Sequence, residues 1–145
     1  MKNVLTILLL LIGSLTATAQ QGLSISRLFE GRIIPQERMV ETRVRGKTLA
    51  KYQLTFYRSL RFTATEAETQ RLRQLVDNDS RGRFVSIYDT KSTYTHKVQV
   101  PPLDDKNRFL CYQEQPAAQK GQREVTVIYM EGTIDSLEKL EKLLK

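Results

Sequence analysis

The 145-residue chain carries 23 Lys and Arg against 16 Asp and Glu, for a net charge of +7, with 40% hydrophobic and 27% charged residues. Its single cysteine and single histidine exclude an intramolecular disulfide and any zinc site built from Cys and His ligands. The length is that of one domain, and the composition is not that of a disordered chain.

Residues 1–19 read as a cleavable signal peptide. Lys2 is the positive head, Val4 to Leu15 is an apolar run, and Ala17-Thr18-Ala19 is a small-x-small cleavage site before Gln20. The apolar core is shorter than the roughly 20 residues that cross a bilayer. No cysteine stands near the cleavage site to take a lipid. The expectation is a single α+β domain over residues 20–145, periplasmic or secreted, with no membrane span after cleavage.

Within that domain, Ser24 to Glu30 has Ile25, Leu28 and Phe29 at helical spacing, with Gly31 as a stop. Met39 to Arg45 alternates, with Val40, Thr42 and Val44 on one face and Glu41, Arg43 and Arg45 on the other. Gly46 ends this strand, and Lys47 to Gln53 has room for one helical turn. Leu54 to Phe62 is a second alternating strand.

A helix follows, with Thr65–Glu68 or Thr63–Glu66 as its capping box and Ala67, Leu72, Leu75 and Val76 as its apolar stripe. It stops in the turn-forming run Asp77 to Gly82. Four short strands come next, near Phe84–Tyr88, Tyr94–Val100, Arg108–Gln113 and Glu124–Glu131. The last element is an amphipathic helix from Ser136 to Lys145, with Asp135 as N-cap and Leu137, Leu140 and Leu144 facing inward. Glu138–Lys142 and Glu141–Lys145 are its i,i+4 pairs. Short turns between strands favour antiparallel pairing. The expected fold is therefore a single, largely antiparallel sheet with helices packed on one face and a C-terminal amphipathic helix.

The segments SISRLFEGR, VRGKTLAKYQLTFYRSLRF and VTVIYMEGTIDSLEKLEKLLK resemble a family of small exported proteins of unknown function from Gram-negative gut anaerobes. The strand, Glu131-Gly132 and Leu-rich helix at the end also look like a second such family. The resemblance implies export and an α+β fold. It carries over no catalytic residues and no cofactor.

Charge is the one uneven feature. Between Arg27 and Arg61 stand nine basic residues and three Glu, whereas Phe62 to Lys145 has 13 of each sign. Arg43 and Arg45 share a strand face, roughly 7 Å apart at the usual rise per residue, and Lys47 follows. These three are the candidate anion-binding residues, suited to phosphate or carboxylate on an envelope partner. The alternative is a solvated face whose charges pair with acids later in the chain. Nucleic acid fits poorly, because no aromatic stacking pattern accompanies the basic run.

Arg58 interrupts the apolar phase of its strand. It is either buried against a carboxylate or turned to solvent by a bulge, and the second option avoids desolvating a charge. His96 reads as a packed histidine and Cys111 as an inert buried thiol, with an intermolecular disulfide as the lesser option for Cys111. Asp77-x-Asp79-x-Arg81-Gly82 fails as a calcium loop, because Tyr88 stands where a bidentate Glu is required. Asp104-Asp105 reads as turn chemistry. No metal site, cofactor motif or catalytic constellation is recognisable. The functional expectation is an exported, non-enzymatic binding or envelope-maintenance module. A small periplasmic hydrolase or transferase built from scattered residues is the alternative.

Overall fold

Alternating apolar and polar residues organise most of this computed structural model, which describes residues 22–81, 85–90 and 92–144. The strands are β1 (Val40–Arg45), β2 (Leu54–Thr65), β3 (Val85–Asp89), β4 (Tyr94–Leu103), β5 (Lys106–Pro116) and β6 (Gln122–Gly132). They form one sheet in the order β1-β2-β6-β5-β4-β3, with every neighbouring pair antiparallel. The helices are α1 (Ser26–Phe29), α2 (Glu66–Asp79) and α3 (Leu137–Leu144), with 3₁₀ turns at Gln36–Arg38 and Lys47–Tyr52. The α+β class, the antiparallel sheet and the C-terminal helix agree with the sequence reading. The expected leader at residues 1–19 and the expected partner Lys145 lie outside the described residues.

The helices, expected on one face of the sheet, occupy both. On the first face Leu60 and Phe62 of β2, Val127 and Tyr129 of β6, and Leu110 of β5 pack under Leu72 and Val76 of α2 and Leu28 of α1. On the second face Phe109 and Met130 pack with Leu49 of the 3₁₀ turn and with Ile134 and Leu140. The cause is local. Phe109-Leu110 and Tyr129-Met130 put buried side chains on consecutive strand residues, so the middle of the sheet is apolar on both sides and needs two covers.

Several boundaries follow from side-chain chemistry. Thr65, not Thr63, caps α2: its hydroxyl accepts from the Glu68 N–H at 3.2 Å, while the Glu68 carboxylate accepts from the Thr65 N–H at 3.0 Å. Thr63 is held in β2, opposite Glu124. Ser136, not Asp135, caps α3, accepting from the Lys139 N–H at 3.2 Å. Asp104 and Asp105 both have positive φ, 50° and 64°, between the paired residues Leu103 and Lys106. That is a two-residue type I′ hairpin, a turn that Asp tolerates better than most residues. Pro101 and Pro102 fit within β4 because its register with β5 shifts between Val100 and Leu103.

Candidate functional site

Register places the basic segment along one edge of the sheet. On β1, Arg43 stands opposite Arg58 and Arg45 opposite Phe56, so both project toward the first face. Five of the nine cations between Arg27 and Arg61 are paired with carboxylates. Arg32 meets Glu30 at 3.0 Å, Arg38 meets Glu68 at 3.0 Å and Arg61 meets Glu124. Arg43 and Arg58 share Glu41, at 3.2 and 2.5 Å.

Among the described residues the other four, Arg27, Arg45, Lys47 and Lys51, form no ion pair and are exposed, and the last three stand within seven residues of chain. The Arg45 guanidinium lies over the Phe56 ring, 4.5 Å from its centroid, and the Lys51 ammonium lies 5.0 Å from that of Tyr52. Lys47 opens the 3₁₀ turn directly after Gly46. The three cations therefore make a basic corner where β1 runs into that turn. Arg43, expected to act with Arg45, is committed to Glu41.

The expectation of a solvent-turned Arg58 is corrected. Arg58 is buried, its Nε donates to Glu41, a terminal nitrogen donates to the Phe29 carbonyl at 3.1 Å, and its guanidinium lies 4.8 Å from the Phe29 ring centroid. The irregularity in β2 falls between Leu54 and Phe56, which leaves Arg58 in phase with the core. Burial lowers the pKa of the guanidinium, and the Glu41 carboxylate opposes that shift. Desolvation would raise Glu41, but hydrogen bonds from Arg58 and Arg43 outweigh it and hold the carboxyl below its ordinary value. Glu41, Arg43, Arg58 and Gln36 line a polar pocket of about 310 Å³. Its carboxylate is held ionised between two guanidinium groups.

Sequence reasoning missed the most buried charge among the described residues. Glu114, with no exposed surface, accepts from Arg73 at 2.7 and 2.8 Å, from the Tyr112 hydroxyl at 2.6 Å and from Arg123 at 3.2 Å. Arg73 also stacks 3.9 Å from the Tyr94 ring centroid. The available signal was phase: Glu114 continues the alternation of Leu110 and Tyr112 one step beyond the expected strand end.

His96 is packed, as expected, and only 1% exposed. Ser80 Oγ donates to the Val76 carbonyl at 2.6 Å, so it accepts from His96 Nε2–H at 2.9 Å, which fixes the neutral tautomer. Burial lowers the pKa of His96, against the pull of Asp77. Cys111, expected to be buried, is partly exposed on the second face, and desolvation pushes its thiol up to about 12, which keeps it protonated at neutral pH. His96 stands opposite Tyr112 across the β4–β5 ladder, one residue out of phase with Cys111. The two therefore face opposite sides of the sheet and form no catalytic pair. Asp79 accepts from the N–H groups of Ser24 and Ile25 at 2.6 and 2.9 Å, which ties the N-terminal turn to the end of α2.

A family model described as a family of unknown function, DUF6108, matches residues 12–144. No curated protein matches the chain. The crystal structure of human STARD10 is similar at 11% identity, over 80% of this chain and 69% of that one, with a TM-score of 0.26.

Proposed function

The chain belongs to DUF6108, and from that premise we propose that it is an exported, non-enzymatic binding module whose basic corner contacts an anionic component of the cell envelope. One observation carries this reading. Apart from Arg27, the rest of the basic segment meets carboxylates, whereas among the described residues Arg45, Lys47 and Lys51 are exposed and form no ion pair within seven residues of chain. No acidic residue occurs in the 3₁₀ turn Lys47–Tyr52 to quench them. Cations held in this way attract anionic groups, and the attraction is screened over about 8 Å at physiological ionic strength. Arg43 is engaged by Glu41 through its Nε, so its charge is countered while its terminal nitrogens still reach solvent.

Export rests on the leader at residues 1–19, cleaved before Gln20, and places the mature protein in the periplasm or outside the cell. A non-enzymatic role is supported by the chemistry of the candidate groups. The Cys111 thiol is protonated, His96 is enclosed, and the carboxylate of the polar pocket is neutralised by arginines.

The test is binding of the purified protein to an anionic polysaccharide such as polygalacturonate, with dextran as the neutral control. Changing Arg45, Lys47 and Lys51 together to Gln removes three surface charges, each worth a few tenths of a kcal/mol to about 1 kcal/mol. The expected weakening is about tenfold at low salt, with little change in melting temperature. Unchanged affinity in the triple variant refutes the basic corner. N-terminal sequencing of the extracytoplasmic fraction that returns Met1 refutes cleavage before Gln20, and absence of the protein from that fraction refutes export.

A further inference from the structure

Between α3 and the second face of the sheet lies a cavity of about 280 Å³. Its apolar wall comes from Ile128 and Met130 of β6 and from Leu137, Leu140 and Leu144 of α3. On the strand side Thr95, Gln113 and Thr126 also face it, short or polar residues that leave the space open. Leu140 is fully enclosed, whereas Leu144, which lines the same cavity, is 54% exposed. The sequence reading expected Leu144 to dock, and it does not. Lys97 and Glu141 also line the cavity, joined Nζ to Oε1 at 2.6 Å, with side chains 35% and 42% exposed.

An apolar space under a helix forfeits dispersion contacts along its lining unless something fills it. We propose that this cavity binds a single aliphatic chain ended by an anionic group, with the chain under α3 and the head at Lys97. Size sets the chain length. An apolar cavity of about 150 Å³ takes benzene, so in proportion this one takes roughly ten or eleven heavy atoms, a chain of about nine or ten carbons.

Charge sets the head. An anionic head pairs with Lys97 and releases Glu141, the more exposed partner, to water. A cationic head would take Glu141 and strand Lys97, the less exposed ammonium, against the apolar wall. Lys97 is also the better anchored of the two, since its strand is paired on both sides, opposite Ser86 on β3 and Cys111 on β5. A bound chain would cover Leu144, which accounts for an exposed leucine at this position. The inference is independent of the basic corner and stands or falls without it.

The test titrates the purified protein with decanoate and with decylamine by calorimetry, following the Met130 methyl resonance as a marker inside the cavity. Decanoate is expected to bind saturably, one per chain, to shift Met130, and to bind about tenfold tighter than decylamine, the value of one charge-assisted contact. Lys97→Gln should erase that preference while leaving the chain site in place. Ile128→Phe should fill the space and abolish binding. If that variant fails to fold, Thr126→Leu narrows the cavity from the same strand and should weaken decanoate. The proposal is overturned if decanoate gives neither saturable heat nor a Met130 shift up to about 1 mM. Decylamine binding as tightly as decanoate, or decanoate binding unchanged in a folded cavity-filling variant, also overturns it.

Discussion

Changing Glu114 to Gln keeps the shape of the side chain and withdraws its charge from under three donors. Removing one partner of a buried ion pair costs about 3–5 kcal/mol, because the other charge is left uncompensated. Here the partners soften the loss. The side chains of Arg73 and Arg123 are 36% and 22% exposed, so each guanidinium can turn partly to water. The Tyr112 hydroxyl, fully buried, has no such recourse, though the new amide oxygen can still accept from it. The expected destabilisation is therefore about 2–4 kcal/mol, which in a domain of this size lowers Tm by roughly 8–15 °C. Urea unfolding followed by circular dichroism, with an unchanged m-value, measures it. A loss below about 1 kcal/mol, the range of exposed pairs, would refute the buried hub.

The same carboxylate predicts a pH dependence. Burial alone would raise its pKa, but the hydrogen bonds from Arg73, Tyr112 and Arg123 outweigh burial and hold it below the ordinary value. Its contribution is thus fully present above the unfolded value of about 4.3 and is lost as pH falls through the lower folded value. Wild type should lose stability on acidification more steeply than Glu114→Gln, and parallel profiles would contradict this.

Two further predictions concern the elements that close the second face. Leu140→Ala should cost about 2–5 kcal/mol and sit toward the upper end, because the site already borders a cavity and has little to collapse onto. Glu138→Ala, on the exposed side of the same helix, should cost under about 0.5 kcal/mol; equal losses in chemical denaturation would mean that α3 is not docked by Leu140. Gly132→Ala places a Cβ 2.3 Å from the Gln53 carbonyl oxygen and 2.6 Å from Leu54 Cα. It should destabilise by about 1–3 kcal/mol through forced backbone displacement, and a neutral result would show that the two segments are not in close contact.

What the sequence made legible was local. The period-2 pattern of β2, the Thr65–Glu68 box and the two-aspartate hairpin each depend on residues a few positions apart, and each is found where the pattern places it. The second covered face was legible only in part. Phe109-Leu110 and Tyr129-Met130 are adjacent apolar pairs, a sign of strands buried on both sides, yet the polar residues around them read as simple alternation. Arg58 was misjudged and Glu114 was not singled out, and one physical reason lies behind both. Each is a charge in phase with an apolar strand face, and the price of burying it looks prohibitive until a partner is known. Arg73 lies 41 residues from Glu114 and Glu41 lies 17 from Arg58, so only the register of the sheet supplies the partner.

Register also decides which cations of the basic segment are left for a partner. Arg43 stands two residues from Glu41 on one strand face and across from Arg58, so a single carboxylate serves both guanidinium groups. Arg38 and Arg61 reach Glu68 and Glu124, acids from the half of the chain that is neutral overall. One step along β1 the pattern fails: Arg45 faces Phe56, an aromatic ring that attracts its charge without neutralising it. Gly46 then turns the chain, with φ of 92°, into a six-residue segment holding two lysines and no acid. The net charge of the segment therefore does not measure its binding capacity. Five of its nine cations meet carboxylates, and three of the others, Arg45, Lys47 and Lys51, follow one another where the end of β1 passes into a turn that holds no acid.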